Sequence, residues 1–265
     1  MTHILVFDSG VGGLSIVETI RLQHPLWTVD YAADAGFFPY GIKTDEELRL
    51  RIPSVCKVLV DRVKPDVLVI ACNTASTLAL DQVRELVSVA VVGTVPAIKP
   101  AAALTQSGVI GVLATPGTVR RQYLDRLEQD FAKNVHVIRH GSSGLVELAE
   151  RFARGEDLDQ QRFHDTIAPL FEYERGREID VVVLACTHFP LVRAQISRAC
   201  PSYVKHIIDT GEAIARQVGK LVTQNDGYVV KQEACAYLTG GQANRQAYLP
   251  ALVKYGFDEI NIIDV

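Results

Sequence analysis

The chain has 265 residues, of which 48% are hydrophobic and 22% are charged, as in an ordinary globular protein with a sizeable core. Its formal net charge of −4 excludes the basic field that holds nucleic acid or an anionic membrane surface. No apolar run approaches the ~20 residues of a membrane-spanning helix. The sequence therefore predicts a soluble protein with one large domain or two smaller ones.

The cysteines and the N-terminus predict a cytoplasmic location. Cys56, Cys72, Cys186, Cys200 and Cys235 are odd in number, widely spread and without CxxC spacing. This pattern argues against a disulfide framework and favours reduced thiols. The opening MTHILVFDSG enters a strand-like run directly, without the charged and apolar regions of a signal peptide.

Strand-like runs alternate with helical patterns along most of the chain. The predicted strands cover residues 3–7, 28–33, 67–71, 89–95, 108–114, 135–140, 181–185 and 204–209. Amphipathic helices are predicted over 14–24, 46–63 and 76–87, and Pro53 is expected to kink or restart the second of these. Strands that are apolar throughout suit a sheet covered on both faces, so the fold class is α/β with parallel sheets.

Two similar halves are predicted from a repeated pattern. VLVIACNTAS and VVVLACTHFP each join an apolar strand to Ala-Cys and small polar residues, and ILVFDSGVGGL has an echo in IGVLATPGTV. We expect a first α/β domain from residues 1–97 plus 210–265, whose C-terminal segment packs back on it, and a second from 98–209. The alternative is the ordinary recurrence of strand–turn–helix units in any α/β protein.

Polar residues cluster where the predicted strands end, which is where open parallel sheets bind ligands. The helix starts that follow these strands offer free N–H groups to a carboxylate. The glycine stretch DSGVGGLS lacks both the GK[ST] ending and the GxGxxG spacing of phosphate-binding loops, so it predicts a tight turn presenting Asp8 and Ser9. The other residues at strand ends are Cys72, Asn73, Thr74, Thr115, Thr118, Cys186, Thr187 and His188.

Cys72 and Cys186 are the candidate reactive thiols, because each follows a strand and precedes a predicted helix start, which lowers the pKa of a thiol. His188 lies two residues beyond Cys186 and is expected on the same face. A metal site is poorly supported, because Cys186 and His188 supply two ligands and no second closely spaced pair occurs. A Cys–His hydrolase needs only one thiol, which would leave Cys72 without a role. Two thiols across a cleft fit a reaction that removes a proton from one face of a carbon and returns one to the other, with no cofactor.

The chain resembles the glutamate racemases, within the cofactor-independent aspartate/glutamate racemase superfamily. The motifs that carry the resemblance are FDSGVGGLS, FPYG, ACNTAS, GTVPAIKPA, ATPGTV, LACTHFPL and DTGEAIAR, and they span Phe7 to Arg216. The resemblance implies two α/β domains around one active-site cleft, with the C-terminal segment rejoining the first domain. It also implies D-glutamate supply for peptidoglycan in a bacterial cytoplasm, a glutamate substrate, no cofactor or metal, and a homodimer.

The resemblance further implies roles for single residues. Cys72 would deprotonate D-glutamate with help from Asp8, and Cys186 would deprotonate L-glutamate with help from His188. Asp8 and Thr187 would contact the substrate ammonium. The residues implied to hold the two carboxylates are Ser9, Pro39, Tyr40 and Gly41 for the side chain, and Asn73, Thr74, Thr115 and Thr118 for the α-carboxylate.

A supporting acid–base role is implied for a glutamate, for which Glu147 is the best match and Glu150 the alternative. Ser142 and Ser143 stand where related chains often have Cys-Pro, so the loop before this glutamate differs. Two rival functions remain open at this point: a racemase for aspartate or a hydantoin, and a Cys–His hydrolase or lyase on the same scaffold. Without the resemblance, Asp8, Thr115 and Thr118 could equally be helix caps.

Overall fold

A computed structural model describes residues 2–222 and 233–265. Residues 223–232, within the predicted C-terminal segment, lie outside this range. The strands in the described part are β1 His3–Asp8, β2 Thr28–Ala33, β3 Val67–Ile70, β4 Ala90–Gly93, β5 Val109–Ala114, β6 His136–Gly141, β7 Val181–Ala185, β8 His206–Ile208, β9 Cys235–Leu238 and β10 Glu259–Ile262.

The helices surround these strands, and most of them connect one parallel strand to the next. The α-helices in the described part are α1 Leu14–Gln23, α2 Asp45–Val63, α3 Asn73–Leu86, α4 Ile98–Leu104, α5 Pro116–Val119, α6 Gln122–Phe131, α7 Ser143–Ala153, α8 Gln160–Ile167, α9 Pro169–Glu172, α10 Arg193–Ala199, α11 Gly211–Leu221 and α12 Gly241–Lys254. Short 3-10 turns cover Tyr40–Ile42, Gly176–Glu178 and Phe189–Val192. None of the helices in the described ranges combines the length and apolar composition that crossing a bilayer requires.

The strands form two parallel sheets. The first has six strands in the order β10-β9-β2-β1-β3-β4, and the second has four in the order β6-β5-β7-β8. All pairings are parallel. The prediction of two parallel-sheet α/β units is confirmed.

Each sheet is covered on both faces, and the apolar residues of its central strands alternate between the two faces. In β1, Ile4 and Val6 pack into one buried cluster, while Leu5 and Phe7 pack into another on the opposite face. The side chains of the second sheet alternate in the same way between two further clusters. Full coverage of this kind explains why these strands are continuous hydrophobic runs.

The C-terminal segment rejoins the first sheet, as predicted. β9 pairs with β2 and β10 pairs with β9, so the segment extends the sheet at one edge. The buried residues Ile214 and Val218 of α11 join the same core as Val17 of α1. β9 and β10 were not predicted as strands. The exact division into residues 1–97 plus 210–265, and 98–209, stays a proposal.

Helix α2 runs through Pro53 as one element, so the expected restart does not occur. Its N-terminus carries a capping box in which the Thr44 hydroxyl accepts from the Glu47 backbone and the Glu47 carboxylate accepts from the Thr44 backbone. Ile52 and Cys56 on its inner face are fully buried. This burial outweighs the one backbone hydrogen bond that proline removes.

Candidate active site

Two pairs of adjacent strands bring the polar residues to the edges that face each other across the cleft. β1 and β3 are neighbours, with Phe7 beside Ile70, so Asp8 at the end of β1 lies close to Cys72, which follows β3. β5 and β7 are neighbours, with Ala114 beside Ala185, so Thr115 and Cys186 follow adjacent ends of the second sheet. The repeated strand–cysteine pattern thus occupies equivalent places in the two sheets.

The two edges enclose a cavity of about 530 Å³ that contains both cysteines. The sequence-predicted residues that line it are Ser9, Pro39, Tyr40, Gly41, Cys72, Asn73, Thr74, Thr115, Glu147, Cys186, Thr187 and His188. Asp8 and Thr118 lie directly behind this lining and are buried. Twelve of the fourteen predicted site residues therefore reach one cavity.

Cys186, His188 and Glu150 are connected by a series of buried polar contacts. Its Sγ lies 3.8 Å from Nδ1 of His188, and Nε2 of His188 lies 2.9 Å from Oε1 of Glu150. All three residues are buried. Burial alone would lower the pKa of His188, but its hydrogen bonds with Cys186 and Glu150 raise that pKa well above the usual range. The raised pKa favours the protonated imidazole beside the sulfur.

Glu150, rather than Glu147, is the glutamate in contact with His188. Its Oε1 also accepts from the backbone N–H of Val11, 2.8 Å away, and its Oε2 accepts from Arg154 at 2.9 Å. Burial would raise the pKa of Glu150, but its contacts with His188, and then those with Val11 and Arg154, lower it below the usual value. The side chain of Glu147 is 71% exposed and lies near Arg151 at the cavity rim.

The glycines of DSGVGGLS give the His188–Glu150 pair its space. A Cβ atom at Gly12 would lie 2.3 Å from Nδ1 of His188, and one at Gly10 would lie 2.3 Å from Oε1 of Glu150. The backbone angle φ is positive at neither residue. The predicted tight turn therefore needs glycine for close approach to the second domain.

Cys72 has a different environment from Cys186. It is the N-cap residue of α3, yet burial raises the pKa of its thiol well above the usual range, and the charge of Asp8 adds to the increase. The backbone amide of Ala75 and the hydroxyl of Ser9 act in the opposite direction. The expected lowering by the helix N-terminus is thus present but smaller than the effect of burial.

Asp8 links the two halves of the site. Its Oδ2 accepts a hydrogen bond of 2.8 Å from the hydroxyl of Thr187, and its Oδ1 accepts from the backbone and hydroxyl of Ser9. Burial raises the pKa of Asp8, whereas His188 and Thr187 act to lower it. The Asp8 carboxylate does not line the cavity, but its hydrogen-bond partners Ser9 and Thr187 do.

Three threonine hydroxyls from both domains form a cluster at the cavity wall. Oγ1 of Thr115 lies 3.0 Å from Oγ1 of Thr74 and 3.0 Å from Oγ1 of Thr118, and the Oγ1 atoms of Thr74 and Thr118 are 3.4 Å apart. Beside them, Nδ2 of Asn73 is buried and has no hydrogen-bond partner among the described residues. This group offers several hydrogen-bond donors to an anionic ligand.

The side chain of Tyr40 points away from the cavity. Its hydroxyl donates to Asp34 at 2.7 Å, and Asp34 also accepts from Arg51 and Thr239. The Tyr40 side chain is fully buried, so the turn that it shares with Gly41 lines the cavity from a fixed position. Asp34 was not among the predicted residues, although its position after the buried strand β2 was a usable signal.

Comparison with known proteins agrees with this site. Residues 15–218 match the Asp/Glu/Hydantoin racemase family. A glutamate racemase of Sphingopyxis alaskensis is 45% identical over 98% of this chain and 97% of its own length. One of Shewanella frigidimarina is 39% identical over 99% of this chain and 98% of its own length.

A solved structure is also similar over the whole chain. The Escherichia coli glutamate racemase, in complex with L-glutamate and the activator UDP-MurNAc-Ala, has a TM-score of 0.91 and 37% identity, covering 100% of this chain and 98% of that one. The chain belongs to the Asp/Glu/Hydantoin racemase family. The relatives at 45%, 39% and 37% identity are named glutamate racemase, so the resemblance noted from the motifs is confirmed.

Proposed function

We propose that this chain interconverts L-glutamate and D-glutamate without a cofactor. The observation that carries the proposal is the presence of Cys72 and Cys186 in one cavity, each at the end of an equivalent strand of its own sheet. Relatives named glutamate racemase, 45% and 39% identical over nearly the whole chain, support glutamate as the substrate.

In the direction from L- to D-glutamate, the Cys186 thiolate takes the α-proton and the Cys72 thiol gives its proton to the opposite face of the same carbon. Cys186 leaves the cycle as a thiol and Cys72 as a thiolate. The reverse direction exchanges these two roles. No electron or group is transferred, so proton balance is complete with two thiols.

The electrostatic environment of each sulfur suits its part in this direction. The raised pKa of Cys72, caused first by burial and then by Asp8, keeps this residue as a thiol ready to donate. The imidazole of His188, hydrogen-bonded to both Cys186 and Glu150, stabilises negative charge on the Cys186 sulfur. Glu150 is proposed here as a positioning residue for His188.

Loss of the α-proton places extra negative charge on the α-carboxylate, so this group needs strong donors. Thr74, Thr115 and Thr118, together with the unpartnered amide of Asn73, are proposed to supply them. The N-terminus of α3 adds a positive dipole end. Donors fixed in place before the reaction stabilise the transition state most effectively.

The remaining contacts of the substrate follow the same scheme. The turn at Tyr40 and Gly41, with Pro39 and Ser9, is proposed to hold the side-chain carboxylate, and Thr187 the ammonium group. In the cell, we propose that the product D-glutamate serves peptidoglycan synthesis in the cytoplasm. A homodimer stays a prediction of the family resemblance.

The test is incubation of the purified chain with L-glutamate in the absence of any added cofactor, followed by chiral separation. The proposal predicts D-glutamate up to an equal mixture of the two enantiomers. L-aspartate serves as the matched control, since its side chain is one methylene shorter. Absence of D-glutamate, or equal racemisation of aspartate, would contradict the proposed substrate.

A further inference from the structure

Arg121 is a buried arginine directly behind the cavity wall, between the short helix α5 and helix α6. Only 8% of its surface is exposed, which is unusual for an arginine. It is the N-cap residue of α6 and belongs to the second domain by its place in the chain. It does not line the cavity, and the motifs discussed above assign it no role.

The guanidinium of Arg121 reaches across to the first domain at two points. Its Nη1 donates to the backbone carbonyl of Thr74 at 3.0 Å, and its Nη2 donates to the Asp45 carboxylate at 2.8 Å. Its Nε is buried and has no partner among the described residues. The Asp45 side chain is 60% exposed, so the contact with Thr74 is the buried one of the two.

The Thr74 carbonyl lies in the first turn of α3, two residues after Cys72. Thr74 also provides one hydroxyl of the three-threonine cluster, whose other members come from the second domain. The two domains approach closely here, because a Cβ atom at Gly41 would lie 2.8 Å from Cβ of Thr115. Arg121 therefore bonds the two domains at the point where the cluster is assembled.

The positive charge of Arg121 lies beside the threonine cluster, which is proposed to bind the α-carboxylate. The cations lining the cavity in residues 2–222 and 233–265 are Arg151, Arg154 and His188, and none of them is hydrogen-bonded to the threonine cluster. Burial lowers the pKa of Arg121, whereas the charges of Asp45 and Cys72 raise it. Because Nη1 of Arg121 donates to the Thr74 carbonyl, the positive charge lies at the first turn of α3, the helix for which Cys72 is the N-cap residue.

We propose that Arg121 is a positioning residue for racemisation, which holds the three-threonine cluster closed through Thr74 and offsets negative charge that develops at the Cys72 side of the site. This inference rests on the proposed racemase function. A buried guanidinium keeps its positive charge at all relevant pH values, so both the charge and the Thr74 contact are present in either direction of the reaction.

The experiment compares the whole-chain variants Arg121→Met, Arg121→Lys and Asp45→Asn with the wild type. Removing the charge and the Thr74 contact in R121M is expected to lower kcat about 100-fold, and keeping the charge alone in R121K to lower it about 10-fold. D45N breaks the exposed ion pair but keeps the Thr74 contact, so its kcat is expected within about threefold of wild type.

Substrate deuterated at the α-carbon provides a second readout. Because the negative charge grows as the α-proton leaves, kcat is expected to fall more than KM rises in R121M, and the deuterium isotope effect on kcat/KM to increase. A purely structural loss of folded protein changes the amount of active enzyme but leaves this isotope effect unchanged. Melting temperatures identify any variant that does not fold.

Each result decides one question. If the wild type does not racemise glutamate, the proposed function itself is wrong. If the wild type is active while R121M and R121K keep kcat within about threefold, the positioning role of Arg121 is overturned. An equal loss in D45N and R121M also overturns it, since the ion pair alone would then be responsible. If R121M fails to fold, the contrast between R121K and D45N decides.

Discussion

Nε2 of His188 lies 2.9 Å from Oε1 of Glu150, with both side chains almost completely buried. The pair comes from one domain, but the same carboxylate oxygen also accepts from Val11 of the other domain. Its position fixes the imidazole that faces Cys186. A change at Glu150 should therefore affect one of the two thiols more than the other.

The contrast between Glu150 and Glu147 is the first prediction. We expect Glu150→Gln to lower kcat/KM about 100-fold, because the neutral amide supports a protonated His188 poorly. Glu147→Gln, at an exposed position on the same helix, is expected to stay within about threefold of wild type. Steady-state racemisation assays measure both. A larger loss in E147Q than in E150Q would contradict the assignment.

The two enantiomers have equal free energies in water, so any variant loses kcat/KM equally in both directions. The α-deuterium isotope effect, measured separately from L- and D-glutamate, distinguishes the two proton transfers. For E150Q we expect the isotope effect to increase more with L-glutamate, because proposed abstraction by Cys186 is then slowed. Equal increases from both enantiomers would argue against a specific link to Cys186.

The pH dependence of stability is predicted from His188. Burial alone would lower its pKa, but Cys186 and Glu150 raise it above 6.5, so the folded state holds a proton that the unfolded state releases. This stabilisation is fully present below pH 6.5 and is lost as the pH rises through the raised folded-state pKa.

The control for this prediction is His188→Gln, which removes the titrating group. Above the unfolded-state pKa, the wild-type free energy of unfolding should fall relative to that of H188Q by up to about 1.4 kcal/mol per pH unit. Denaturant unfolding at several pH values measures the difference. Parallel curves for the two proteins would show that His188 does not carry a raised pKa.

Position 12 is predicted to require glycine, because His188 leaves no room there for a side chain. In Gly12→Ala the new methyl group would lie 2.3 Å from Nδ1 of His188, so we expect destabilisation of about 1–3 kcal/mol together with loss of racemisation. Gly144→Ala is the control, since the nearest atom to its Cβ is 3.7 Å away, and its stability should be unchanged or increased by up to about 1 kcal/mol because the position is helical. Thermal unfolding and activity assays compare the two, and equal behaviour would contradict the steric explanation.

Tyr40 is predicted to act through its backbone position. Tyr40→Phe removes the hydrogen bond to Asp34, which keeps Arg51 and Thr239 as donors, so we expect about 1 kcal/mol of destabilisation. KM for glutamate should change by less than about threefold, because the hydroxyl faces away from the cavity. An increase in KM of tenfold or more, roughly 1.4 kcal/mol, would instead place the hydroxyl on the substrate.

Much of this fold was predictable because residues 4–7, 67–71 and 181–185 are apolar throughout, and each run is followed by a cysteine or a polar residue. The two cysteine strands, with Asp8 and Thr115 at the neighbouring strand ends, indicated where the site lies. β9 and β10 escaped prediction because both are short, and the pairing of β9 with β2 joins parts of the chain far apart in sequence. Local patterns carry little information about such contacts.

The supporting contacts of the site were harder to predict than its lining. Glu147 and Glu150 are only three residues apart in one helix, and only the packing of α7 in the folded protein decides which carboxylate contacts His188. Likewise, the bond from Arg121 to Thr74 joins two domains. The pKa of Cys72 depends on burial, which outweighs the helix N-terminus that the sequence indicated.

The two-thiol mechanism is tested most directly by the single variants Cys72→Ala and Cys186→Ala in D₂O, with α-hydrogen exchange followed by NMR for each enantiomer. Neither variant should racemise glutamate. Cys186 remains in C72A, so this variant should exchange the α-hydrogen of L-glutamate alone, and C186A that of D-glutamate alone. Racemisation near the wild-type rate in either variant would contradict the mechanism.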